Sequence, residues 1–101
     1  MNITERRPFT PGEILAEEFM QPYGLTQGEL AAQLHVERRR INEIVNGKRA
    51  ITPDTALRLA KFFNMTAEYW LNLQTKVDLW NEIHNQVTIK ELRTIKAISA
   101  V

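Results

Sequence analysis

Three consecutive arginines, Arg38, Arg39 and Arg40, are followed by Asn42, Glu43 and Asn46 in a stretch whose apolar residues are Ile41, Ile44 and Val45. On a helix turning about 100° per residue, the three aliphatic side chains share one face. Arg39, Asn42, Glu43 and Asn46 then share the opposite face, with Arg38 and Arg40 on its flanks. This chemistry suits base edges. A guanidinium pairs bidentately with guanine and a carboxamide with adenine, while a carboxylate accepts from cytosine. A helix that only meets solvent more often carries Lys, Glu and Ala in alternating-sign pairs. The asparagines therefore favour readout over a solvated basic face. Arg38, Arg39, Asn42 and Glu43 are the candidate base readers, and Arg40, on the other flank, lies nearer phosphate.

Gln27 stands at the start of the preceding helix, where backbone N–H groups and a partial positive charge also point outward. Lys48 and Arg49 follow the arginine helix on a short loop. These residues suit phosphate contacts, which fix register but carry no sequence information. Lys48 and Arg49 would equally complement the negative end of the helix dipole.

The elements that must position these side chains follow from local signals. Residues 1–10 form an arm. Pro11 opens a first helix whose apolar stripe is Ile14, Leu15 and Phe19, and Pro22 and Gly24 end it. Thr26 with Glu29 three residues later makes a capping box for a second helix, with Leu30, Ala31 and Leu34 inward. Gly28 and Ala31 are small where the two central helices would cross, Ala31 the more telling because it lies on the inner face. His35 occupies the turn at a position needing positive φ, which histidine tolerates better than most. Asn46-Gly47 stops the third helix. Thr52-Pro53-Asp54 starts a fourth, with Ala56, Leu57, Leu59, Ala60 and Phe63 inward and Asn64 closing it. Thr66 caps a fifth, running through Trp70, Val77 and Trp80 toward His84. Residues 88–101 fit a helix or a strand. The expected architecture is all-α: a five-helix helix-turn-helix domain over 11–84 and a C-terminal extension over 85–101.

The 101 residues carry a net charge of +1. The charge is unevenly placed. Residues 36–49 hold five basic and two acidic side chains, a local +3, and the remainder holds eight basic and ten acidic, a net −2. Such a patch binds phosphate locally without general stickiness. With no cysteine, disulfides and thiolate metal sites are excluded. Neither a signal peptide nor a membrane span is expected, and the expected location is the cytoplasm. His35 and His84, the two histidines, share no catalytic or metal-binding spacing, and no glycine-rich phosphate loop occurs. Asp54 and Glu68 read as first-turn carboxylates. No enzyme, cofactor or metal is expected.

One such helix reads few base pairs, whereas a dyad-related pair reads a palindrome. The fifth helix carries more apolar surface than one small core needs. Trp70 and Leu71 are assigned to the core, and Leu79, Trp80 and Ile83 to a dimer interface.

The segments RPFTPGEILAEEF, LTQGELAAQL, RRINEIVNGKRAITPDTALRLAKFF and EYWLNLQ lie between Arg7 and Gln74 and so span most of the chain. Through them the chain resembles the phage-repressor group of helix-turn-helix proteins. More closely it resembles antitoxins of the HigA type, also called virulence-associated protein I. The resemblance implies a homodimer that binds double-stranded operator DNA, represses its own operon and blocks a RelE-like, HigB-type RNase toxin. It also implies that Arg38, Arg39 and Glu43 face bases and that Gln27 and Asn46 face the DNA backbone. The turn departs from the usual glycine-valine-serine: His35-Val36-Glu37 stands there, and Glu37 replaces the hydroxyl cap. The alternatives are a stand-alone phage-type or metabolic repressor without a toxin, and a protein-interaction module whose basic helix meets an acidic partner.

Overall fold

The computed structural model describes residues 6–99, which form six helices and no strand. The first five residues of the expected arm, and residues 100 and 101 of the tail, lie outside the described residues. Residues 6–10 are non-helical. The first helix, α1 (11–23), begins as Pro11–Ile14, continues π-wound over Leu15–Met20 and ends as Gln21–Tyr23. It is followed by α2 (Gln27–Leu34), α3 (Arg38–Val45), α4 (Pro53–Phe63), α5 (Ala67–Ile83) and α6 (Gln86–Thr94).

Both ends of α1 have a local cause. Thr10 accepts from the Glu13 N–H and Glu13 caps back onto Thr10, a complete capping box with Pro11 behind it. Of the two residues expected to end the helix, Gly24 at φ 63° makes the stop, whereas Pro22 lies inside the last turn. Proline has no N–H to donate and its ring crowds the carbonyl four residues back. The preceding turn is wide, with Gln21 N–H donating to Ala16 O, five residues back. That winding lets the helix run through Pro22.

The core is built from the inner faces of all five expected helices. Leu15, Leu30, Ile41, Ile44, Leu59 and Trp70 are fully buried. Removing an aliphatic side chain of this size from water contributes roughly 1.5–3 kcal/mol. Ala31, Leu34, Ala56 and Ala60 lie inside as expected. Leu57 does not: it is 63% exposed, because the stripe of Ala56, Leu59, Ala60 and Phe63 leaves position 57 a third of a turn off the buried face. Trp70 is core, and Leu71 packs half-buried against it.

Two further expectations need correction. Thr66 precedes α5, but its hydroxyl makes no cap hydrogen bond. Gly28 is not at a tight crossing, since a Cβ there would meet only Arg38 Cδ at 3.9 Å. The close approach lies at Gly12 instead, where a Cβ would sit 1.9 Å from the Ile44 carbonyl oxygen and 2.9 Å from Val45 Cα. The start of α1 thus rests on the backbone at the end of α3. The tail resolves as helix: Asn85 accepts from Val87 and Thr88 N–H groups, and α6 then runs to Thr94. It packs on the end of α5, where Thr88 donates to Glu82 at 2.6 Å.

Candidate nucleic-acid interface

The capping box that starts α2 is complete. Thr26 accepts from Glu29 N–H at 3.1 Å, and Glu29 accepts from Thr26 N–H at 3.0 Å. Gln27 therefore stands on a fixed first turn. The helix ends on His35 at φ 58°, whose N–H returns to Ala31 and Ala32 carbonyls, and Val36 N–H donates to Ala31 O at 3.0 Å. These satisfy carbonyls that a helix end otherwise leaves orphaned. Arg58 of α4 covers another, donating to Leu34 O at 2.9 Å.

Glu37 is the N-cap of α3, and its carboxylate makes no cap hydrogen bond. The loss of the hydroxyl cap is thus uncompensated by that side chain. Position is set elsewhere. Ile41 and Ile44 are buried and Val45 is half-buried, so the outer face is fixed as the sequence implies. Arg38, Arg39, Asn42 and Asn46 are exposed on it.

Two hydrogen-bonded rows cross this surface. In the first, Asn42 donates to Gln27 Oε1 at 3.0 Å, and Asn46 donates to Asn42 Oδ1 at 3.3 Å. In the second, Glu43 accepts from Arg49 Nη2 at 2.7 Å and Arg49 Nε at 3.0 Å, and pairs with Arg39 Nε at 3.4 Å. The Arg49 hydrogen bond, above all, holds the Glu43 carboxyl below the usual carboxylate range, and the charge of Arg39 helps. Lys48 and Arg49 N–H groups both donate to the Glu43 carbonyl, which folds the loop back on α3. The Arg39 side chain is 80% exposed despite its pairing. The side chains of Arg38 and Lys48 have neither a hydrogen bond nor an ion pair among the described residues.

The helix-turn-helix family model matches residues 17–70 of this chain. Antitoxin HigA-1 of Vibrio cholerae is 41% identical, over 80% of this chain and 76% of that protein. The chain belongs to the HigA-type helix-turn-helix family. The helix-turn-helix-type regulator YbaQ of Escherichia coli K12 is 42% identical over 98% of this chain and 88% of that one. Among solved structures, Pseudomonas aeruginosa antitoxin HigA with the higBA promoter superposes with a TM-score of 0.84 at 33% identity, over 92% of this chain and 100% of that one.

In this HigA-type chain, Gln27, Arg38, Arg39, Asn42, Glu43, Asn46, Lys48 and Arg49 all gather around one face of α2 and α3. Arg40 is drawn aside: half-buried, it donates to Asp54 Oδ2 at 2.7 Å. Asp54 also takes Arg58 Nε at 3.0 Å. First Arg58 and then Arg40 hold its carboxyl below the ordinary range. Asp54 therefore does more than complement the α4 dipole, since it ties α3 to α4. Leu79, Trp80 and Ile83 lie apart from this face, half-buried at the far end of α5, where the Trp80 and His84 rings stack 4.0 Å apart.

Gly12, and the triad of Arg40, Asp54 and Arg58, position the site yet were not legible as such. The four-residue spacing of Asp54 and Arg58 signals their pairing. No sequence signal joins Arg40 to it, or Gly12 to Ile44.

Proposed function

We propose that this chain is a dimeric repressor that reads its own operator through α3 and acts as the antitoxin of a type II toxin–antitoxin pair. The observation that carries the reading is the outer face of α3. Arg38, Arg39, Asn42 and Asn46 are exposed there on a helix braced from behind at Ile41, Ile44 and Gly12. Arg38, Arg39 and Asn42 offer the donors that guanine and adenine edges accept in the major groove. Glu43 accepts from Arg49 and Arg39 in the free chain, so a cytosine contact requires it to exchange one of them. Gln27, Arg40, Asn46, Lys48 and Arg49 supply the phosphate contacts that set register. Arg40 does so while tethered to Asp54. The promoter bound by the Pseudomonas relative supports DNA as the ligand.

Dimerisation proceeds through the far end of α5, at Leu79, Trp80 and Ile83, extended by the exposed Val87 and Leu92 of α6. Two α3 helices then meet half-sites about 34–36 Å apart, or a multiple of that. The partner it neutralises is a RelE-like RNase of the HigB type. The work is binding rather than catalysis, in the cytoplasm, without a cofactor. No helix among the described residues is long and apolar enough to cross a membrane.

A toxin-free repressor is the second reading, favoured by the likeness to YbaQ over nearly the whole chain. A short RNase-like reading frame beside the gene separates the two. The direct test mixes the chain, alone and with that neighbour's product, with the DNA upstream of the gene. Specific retardation by the chain and a tight protein complex support the leading reading. Binding to neither contradicts it.

A further inference from the structure

Phe19, Tyr23, Phe62, Phe63, Tyr69 and Trp70 join into one cluster on the side built by α1, α4 and α5. The Phe19 ring lies 4.9 Å from Phe63, 6.1 Å from Tyr69 and 4.9 Å from Trp70, and Phe63 lies 6.1 Å from Tyr23 and 4.9 Å from Phe62. Trp70 is buried and serves the core. Tyr23, Tyr69 and Phe62 reach the surface, 71%, 38% and 37% exposed. No ring of this cluster belongs to α2 or α3, so the DNA-reading face makes no use of it. Aromatic side chains that stay exposed on a rigid support are what interface centres are made of.

The charges that neighbour these rings in sequence are mainly acidic, with exposed Lys61, just before Phe62, the exception. Glu17 and Glu18 precede Phe19 on α1, and Glu68 precedes Tyr69 on α5, and all three are exposed. Most carboxylates elsewhere are engaged within the chain: Glu13 with Arg7, Glu43 with Arg49, Asp54 with Arg40 and Arg58, Asp78 with Gln74. The carboxylates of Glu17, Glu18 and Glu68 have no hydrogen bond or ion pair among the described residues. An RNA-cleaving protein must present cations to the phosphate backbone of its substrate. It therefore complements an acidic, aromatic surface, and covering those cations would keep RNA away from them.

We infer that the toxin docks here, its basic surface against Glu17, Glu18 and Glu68 and its apolar contacts on Tyr23, Phe62 and Tyr69. This rests on the antitoxin reading above and gives it a surface. Because the rings avoid α2 and α3, the toxin and the operator occupy different faces of one chain.

The test uses the full chain and the purified product of the RNase-like reading frame beside its gene, with binding followed by calorimetry. Glu17→Lys/Glu18→Lys/Glu68→Lys together, and Tyr23→Ala alone, should each weaken the complex by about tenfold or more. Helical content, dimer mass and operator binding should stay as in the wild type, and wild-type binding should weaken with salt. Tyr23→Ala alters an exposed side chain, so it decides the matter even if the triple variant does not fold. If the wild type binds the neighbour and Tyr23→Ala binds as tightly, the surface is wrong and the antitoxin reading stands. If the variants fall apart into monomers, the patch belongs to a second copy of the chain and the inference is overturned. If the wild type does not bind the neighbour at all, the antitoxin reading fails and this inference with it.

Discussion

Asn42 donates its side-chain N–H to Gln27 Oε1 across 3.0 Å, fastening the outer face of α3 to the first turn of α2. The bond joins a candidate base reader to a candidate phosphate contact. Under the proposed reading, register on the DNA backbone is passed directly to the amide that would meet the base. Exposed as it is, the bond contributes little to stability, on the order of 1 kcal/mol or less.

Gln27→Ala should therefore change binding more than folding. The expected result is a melting temperature close to the wild type, with operator affinity reduced by about 1–3 kcal/mol through the lost phosphate contact and the freed Asn42. Thermal melts beside fluorescence anisotropy on an operator duplex check both halves.

Gly12→Ala should act in the opposite order. Its Cβ would meet backbone, the Ile44 carbonyl oxygen at 1.9 Å, which no rotamer change can relieve. Either α1 lifts from α3 or α3 tilts. Overpacking of this kind costs about 1–3 kcal/mol and often more. Denaturant titration should show that loss, and operator affinity should fall with it because the seat of α3 has moved.

Stability should decline in acid, and Asp54 should carry part of the decline. Arg58, and then Arg40, keep the Asp54 carboxyl below its ordinary value in the folded chain, and Arg49 does the same for Glu43. A depressed native pKa contributes stability that is present above the ordinary carboxylate pKa. It is lost as pH falls through the native value. Melting temperature should drop as pH is lowered from about 5 downward, with a shallower drop in Asp54→Asn. Both groups face solvent, so the effect is modest and fades with added salt.

Trp80→Glu with Leu92→Glu should give a folded monomer. Trp80 is half-buried and Leu92 exposed within a single chain, so the substitutions spare the core around Trp70. Sedimentation should show the monomer mass, and operator affinity should fall sharply because only one half-site is held at a time.

Much of the site was legible because its signals are local. The Thr26/Glu29 box, the positive φ of His35, the Asn46-Gly47 stop and the buried Ile41/Ile44 stripe each depend on residues within one helical turn. What escaped depends on residues far apart in the chain. Gly12 is needed for its lack of a Cβ, and only the backbone of α3, some thirty residues on, reveals that. Arg40 is assigned to phosphate from its flank of the helical wheel, and only the placement of α4 reveals Asp54 beside it. Leu57 was assigned inward by its type alone, while the stripe of its own helix passes it by. The tail combined β-branched residues with helical spacing, and the Asn85 cap together with packing on α5 decided for helix.

The central claim is that α3 reads bases rather than merely holding phosphate. Competition binding of wild type, Arg39→Ala and Lys48→Ala to an operator duplex and to its scrambled counterpart tests it most directly. Arg39→Ala should lose about 1–3 kcal/mol on the operator and little on the scrambled duplex. Lys48→Ala should weaken both alike and reduce the salt slope by about one. Equal losses on both duplexes for Arg39→Ala, or a wild type that does not distinguish them, would contradict the account.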